Sequence, residues 1–326
     1  MRALIALLFT LLPVTLWANC GGTDLRETLT DAQQTEIDRR IADAPYATGN
    51  HWRATKGDQV IHLIGTMHID DPRMDALAAR LALVVETADL LMVEATEEDQ
   101  KQLERDMALT PELAFLTGET LIDLMPPEDW AALAAAAEAR GIPGFMAAKF
   151  QPWYLSLMLS MSPCEMRAVA SGQEGLDARI IEIAAQAGVP TRSLEDPKSV
   201  FQLFNQDPIE DQIALLTLGI LPDEASENAS YTLKQQYFDE ETLAALELSR
   251  VVARPMIDMP EDEFDALFDE FIDLLLRVRN EAWMDKIDAL EEARVVIASG
   301  ALHLAGEYGL PNLLEQRGYT LERQPF

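Results

Sequence analysis

Short apolar runs alternate with segments of helical periodicity at both ends of the chain, while helical periodicity fills the middle. Asn50-His51-Trp52-Arg53 and Val60-Ile61-His62-Leu63-Ile64 read as two strands, and the turn-like Lys56-Gly57-Asp58 between them predicts a hairpin. From Arg73 to Glu86, Met74, Leu77, Leu81, Val84 and Val85 fall at helical spacing. Leu90-Leu91-Met92-Val93 then forms a buried-strand pattern ending on Glu94, so residues 60–94 make a β-α-β unit. An acidic, helix-like lead over residues 24–43 precedes this unit.

Between about Glu97 and Arg279 the pattern is helical, with one interruption. Pro126-Pro127-Glu128-Asp129 opens an Ala-rich helix that Arg140-Gly141 closes, and Trp153 to Met161 is apolar throughout, too short for a bilayer and suited to a buried helix. A helix over residues 176–187 ends at Gly188; the strand Val189 to Leu194 follows and delivers Glu195 at its end. The last segment returns to alternation: a helix from Glu281 to Leu290, the strand Arg294 to Ala298, Gly300-Ala301-Leu302-His303, a helix near Leu310 to Gln316, and a strand Tyr319 to Arg323. The predicted class is α/β, a mostly parallel central sheet with flanking helices and a large helical insertion at about 97–280, within one domain over 19–326.

Residues 1–18, MRALIALLFTLLPVTLWA, carry one basic residue, an apolar run broken by Pro13, and the small Ala18 at a cleavage position. This is the pattern of a secretory signal, shorter than a membrane span, and it predicts a periplasmic or secreted protein with no stable membrane anchor after cleavage. Lipid attachment at Cys20 is disfavoured by Asn19 in front of it. The two cysteines, Cys20 and Cys164, are free to pair in an oxidising compartment or to stand as unrelated thiols. A net charge of −31 removes the phosphate attraction that supports nucleic-acid binding, and anionic membranes are poor partners for the same reason. No Walker loop, GxGxxG, GxSxG or HExxH motif is present.

The chemistry concentrates where strands end. Gly65 to His68 and Gly300 to His303 are two copies of G-x-x-H, each following an apolar strand, and in a parallel sheet both lie at the carboxyl edge, where ligands bind. Each glycine is expected to let the backbone turn tightly and bring its histidine over that edge. The chain has four histidines; His51 and His62 fall in the hairpin and need no role. Glu94 ends a third strand at the same edge, where a carboxylate behind four apolar residues calls for a positive partner. Two imidazoles and a carboxylate suit a divalent ion with positions left for water or substrate, or else a purely hydrogen-bonded His/Glu site. Glu195 is a further acidic candidate. Arg279 and Asn280 are candidates to orient substrate or to pair with Glu94 or Glu195, and Asp177 reads as a complement to a helix dipole.

Leu63 to His68, Ala88-Asp89 leading to Val93-Glu94, Gly175-Leu176-Asp177, Ser193-Leu194-Glu195, Arg279-Asn280 with Trp283, Gly300 to Gly306 with Gly309, and Gly318-Tyr319-Thr320 together resemble the TraB/PrgY/GumN family, in the same order. The resemblance runs from about Trp52 to the end of the chain. It implies a fold related to the erythromycin-esterase and ChaN-like group. It further implies kinship with the TIKI proteases, which resemble manganese- or cobalt-dependent peptidases using two GxxH motifs and a glutamate. By that likeness His68, Glu94 and His303 are the catalytic and metal-binding residues and the ion is manganese or cobalt; the donor set itself also suits zinc, with Gly65 and Gly300 expected to shape the cofactor site. The expected activity is metal-dependent hydrolysis of a peptide or another small amide or ester. The competing expectation is a binding protein that sequesters a peptide, metal or haem in the same cleft without turnover.

Overall fold

The computed structural model describes residues 20–257 and 259–326; the leader expected at residues 1–18 lies outside the described residues. Six strands form one mixed sheet: β1 (His51–Lys56), β2 (Gln59–Thr66), β3 (Leu90–Val93), β4 (Thr191–Ser193), β5 (Arg294–Gly300) and β6 (Thr320–Arg323). Their order across the sheet is β4-β3-β5-β2-β1-β6. β4, β3, β5 and β2 run parallel, and β1 joins them through the antiparallel hairpin with β2 before pairing antiparallel with β6. Four carboxyl ends therefore meet at one edge: Thr66, Val93, Ser193 and Gly300.

The strands that read as continuous apolar runs are those covered on both faces, as a parallel sheet requires. On one face the helices Met74–Glu86 and Leu176–Ala187 bury Leu77, Leu81, Leu176 and Ile180 against Ile64, Leu91 and Val296. On the other face Val278–Asp288 and Leu310–Gln316 bury Trp283, Ile287, Leu310 and Leu314 against Leu63, Met92 and Ile297. Gly188 closes its helix with φ of 72°, as its sequence position predicts.

The inserted segment has a core of its own, built around Leu121, Leu133, Phe150 and Leu155, and it returns to the sheet through Leu176–Ala187 and β4. The apolar stretch near Trp153 is the helix Pro152–Ser160, with Trp153 and Leu155 buried. No helix among the described residues is long and apolar enough to cross a membrane. Cys20 and Cys164 form a disulfide, tying the start of the described chain to the insertion across 144 residues.

The hairpin histidines have a structural task. His51 Nε2 and His62 Nδ1 are 3.0 Å apart, and His51 Nδ1 lies 3.0 Å from the Pro325 carbonyl, which fixes the chain terminus beside β1. Burial lowers both pKa values; for His62 the neighbouring His51 and Arg53 add to it and bring the value to about 4. A histidine depressed on folding is protonated first in the unfolded chain, so its contribution is complete above about pH 6.5 and falls as pH drops toward 4. Urea denaturation at pH 7 and pH 5 should show wild type losing on the order of 1–2 kcal/mol more than His62→Gln over that interval. Equal losses in the two proteins would contradict this account.

Candidate functional site

The four parallel strand ends deliver His68, Glu94, Glu195 and His303 to one rim, as the sequence predicts. A single turn of the helix Val278–Asp288 supplies the groups that hold three of them. Arg279, only 9% exposed, donates from Nη2 to Glu94 Oε2 at 2.6 Å and to Glu195 Oε1 at 2.5 Å, and from Nε to both Glu195 oxygens at 3.0–3.1 Å. Trp283 donates from its indole N–H to Glu195 Oε2 at 3.0 Å. The Gly300 backbone N–H donates to Glu94 Oε1 at 2.7 Å.

Asn280 fixes the second histidine. Its Nδ2 donates to the carbonyls of His303 (3.1 Å) and Tyr308 (2.8 Å), which leaves its Oδ1 to accept from His303 Nδ1 at 2.6 Å. Burial pushes the His303 pKa down to about 3, so the ring is neutral, its proton sits on Nδ1 and its Nε2 carries a lone pair. The ring also packs on Trp283, centroids 4.4 Å apart. Nε2 faces Glu94 Oε1 across 4.0 Å. Burial opposes the charge on Glu94, yet its pKa falls to about 2 under the influence of His303, Arg279, His68 and the Gly300 N–H. Because His303 is itself neutral, the cations acting on Glu94 are Arg279, in direct contact, and His68 at longer range. The His303–Glu94 pair is therefore no salt bridge: two acceptors face each other, and neither has a proton to give.

His68 differs from its counterpart. Its side chain is 68% exposed within a cleft that protein encloses on its remaining sides, and Nδ1 lies 3.1 Å from Asp177 Oδ1. That contact raises the His68 pKa to about 9 against the effect of desolvation, making it an imidazolium at neutral pH. Water in the cleft screens the pair, so the contact orients the ring more than it stabilises the fold. The cleft measures about 370 Å³ and is lined by Thr66, His68, Glu94, Gln100, Asp177, Glu195 and Arg279 together with apolar side chains. Among the described residues no three His, Cys, Asp or Glu side chains stand close enough to hold one ion. The donors divide into His303 with Glu94 at the back and His68 with Asp177 in front.

Two details depart from the sequence reading. Asp177 stands at the first turn of Leu176–Ala187, where a dipole role was expected, but its side chain is turned onto His68; the Gly175-Leu176-Asp177 motif was the available signal. Neither Gly65 nor Gly300 has positive φ, so neither works as a flexible turn. Gly65 lies within β2, where a Cβ would come within 3.0 Å of Ala301, and Gly300 ends β5 and contributes its N–H to Glu94. The glycine the site depends on most closely is Gly175. A Cβ there would run into the Met67 carbonyl oxygen and come within 2.6 Å of the His68 backbone, while the next N–H, Leu176, donates to the Met67 oxygen at 3.0 Å.

The fold and the rim define a class: an α/β protein whose parallel strand ends converge two histidines and two glutamates on a cleft. The chain belongs to the TraB/PrgY/gumN family, whose profile matches residues 50–323. It is 28% identical over 275 residues to the uncharacterized protein YbaP of Escherichia coli (strain K12), covering 82% of this chain and 94% of the relative. The YbaP protein of Shigella flexneri matches to the same extent, 28% identity over 82% and 94% of the two chains.

Gly175→Ala should lower stability by about 2 kcal/mol or more in urea denaturation, because the neighbouring atoms are backbone and cannot rotate away. Asn280→Ala strands the buried His303 Nδ1–H and should cost about 1–3 kcal/mol in the same assay. Wild-type midpoints in both variants would refute the packing and tautomer assignments.

Proposed function

We propose that the chain is an exported metal-dependent hydrolase acting on a peptide or another small amide or ester. One observation carries the reading: His303 Nε2 and Glu94 Oε1 face each other at 4.0 Å while the other nitrogen of the ring, Nδ1, is taken up by Asn280 Oδ1. Such a pair favours a cation, and a neutral imidazole beside a carboxylate is a donor set that divalent ions accept. The Thr66 hydroxyl, buried at the same rim without a hydrogen-bond partner, fits a site completed by something further. His303 and Glu94 would hold the ion, manganese, cobalt or zinc, and His68, which stands in front with Asp177, would complete the set only on releasing its proton and turning from Asp177. When bound, it supplies Lewis-acid polarisation of a carbonyl and acidifies water.

The protein's own groups account for the remainder. Asn280 keeps the His303 proton on Nδ1, away from the cleft. Arg279 and the Gly300 N–H hold Glu94 as a carboxylate, able to accept a proton once substrate enters. Asp177 aims His68 into the cleft. Glu195 acts through Arg279, whose position it fixes from the far side. Export is supported by the residue pattern of 1–18 and by the Cys20–Cys164 disulfide, which suits an oxidising compartment such as the periplasm.

The test is metal content by mass spectrometry after dialysis against manganese, cobalt or zinc, paired with cleavage of a peptide library. Wild type should retain about one ion per chain and cleave, and His68→Ala and His303→Ala should each lose the ion and the activity. Full metal content in both variants would defeat the metal assignment. Retained ion without cleavage across the library would turn the reading to sequestration in the same cleft.

A further inference from the structure

The cleft has two unlike walls. The sheet edge provides most of the charged groups; the insertion adds Asp177 and Gln100 and otherwise lines the cleft with apolar side chains, Leu157 on the helix Pro152–Ser160, Ile181 on Leu176–Ala187, and Val200 and Phe201 on Pro197–Phe204. Leu157 is 38% exposed and the other three are half-buried. The wall is firmly backed: Phe201 packs edge-on against Trp153, centroids 4.9 Å apart, and Trp153 stacks on Phe204. It is also tied to the charged side, because the residue after Leu194 is Glu195 and the helix bearing Val200 and Phe201 begins two residues later.

The charges exclude one substrate class. Among the described residues lining the cleft, Arg279 is the sole Lys or Arg, and both of its partners are carboxylates, Glu94 and Glu195. His68 is likewise committed to Asp177. Apart from the ion proposed above, no cation is left to receive a substrate carboxylate or phosphate, and none lies along the apolar side chains of the insertion.

Building on the hydrolase reading, we infer that Leu157, Ile181, Val200 and Phe201 form a side-chain subsite. It receives an uncharged apolar residue of a peptide next to the bond cleaved, and it rejects acidic residues and a free C-terminal carboxylate at that position. The volume of about 370 Å³ lies at the small end of ligand sites, enough for a short peptide segment and not for a folded domain. The protein then works within chains or from the amino end, not as a carboxypeptidase.

Two measurements test this with the whole exported chain. In the first, wild type, Leu157→Lys and Phe201→Asp are loaded with manganese, and cleavage positions in a peptide library are read by mass spectrometry. Wild type should cut beside Leu, Ile, Val or Phe, and Leu157→Lys should lower kcat/KM for those peptides about ten- to a hundredfold, mainly through KM, while raising cleavage beside Glu. Leu157 is exposed, so this variant should fold even if Phe201→Asp does not. An unchanged preference in Leu157→Lys, or wild-type cleavage beside Asp and Glu, overturns the subsite. The second measurement is saturation-transfer NMR of acetyl-Leu-Phe-amide and acetyl-Asp-Glu-amide with wild type. Binding of the first alone, lost in Leu157→Lys, supports the subsite even if no peptide is cleaved, an outcome that would fell the hydrolase reading by itself. Equal binding of both peptides, or of neither, overturns the subsite.

Discussion

A guanidinium held between two carboxylates organises this molecule's rim. Glu94 and Glu195 end adjacent parallel strands and are both largely removed from water, so without a cation between them each would raise the cost of ionising the other. Arg279 meets both, and its own burial is tolerable because it also donates from Nη1 to the Leu275 carbonyl and lies near the face of Trp283. Removing one member of such a group leaves a buried charge uncompensated, typically costing about 3–5 kcal/mol. The helix turn that carries Arg279 also carries Asn280 and Trp283. One element therefore sets the charge of the glutamates, the tautomer of His303 and the packing of its ring.

Much of this was legible in the sequence because it is local. Apolar runs of four or five residues gave β2, β3 and β5, and the helices Met74–Glu86 and Leu310–Gln316 fall where their periodicity puts them. Once the parallel strands were recognised, the residue just past each strand had to lie on one edge, and that placed His68, Glu94, Glu195 and His303. Asp177 was read for its position in its own helix; the Gly175-Leu176-Asp177 motif marks it out, but local periodicity does not say that its side chain meets a histidine 109 residues away. The glycines were assigned the wrong property for a related reason. Gly65 is required by the close approach of Ala301, which is distant in sequence, and not by its own φ.

The insertion is no appendage. It owns a separate apolar cluster, but it gives β4 and Glu195 to the sheet, the helix bearing Asp177 to one face, and an apolar wall to the cleft. The disulfide binds it to the start of the described chain, and the Lys234–Glu165 pair beneath, 3.3 Å apart and almost wholly buried, holds the same region together. The sheet edge carries both histidines and Glu94, and the insertion supplies Glu195, Asp177 and the apolar side of the cleft around them.

The two G-x-x-H motifs are equivalent in sequence and differ in charge. His303 sits behind Glu94, packed on Trp283 with its proton directed to Asn280, and burial keeps it neutral. His68 stands in the cleft beside Asp177, which favours the protonated ring. The site thus pairs a lone-pair donor at the back with a proton-bearing ring in front, and Glu94 lies within the electrostatic reach of both. A repeat that looks like two copies of one feature is split by environment into two protonation states: burial keeps the His303 ring neutral, while Asp177, which lies outside both repeats, favours the proton on His68.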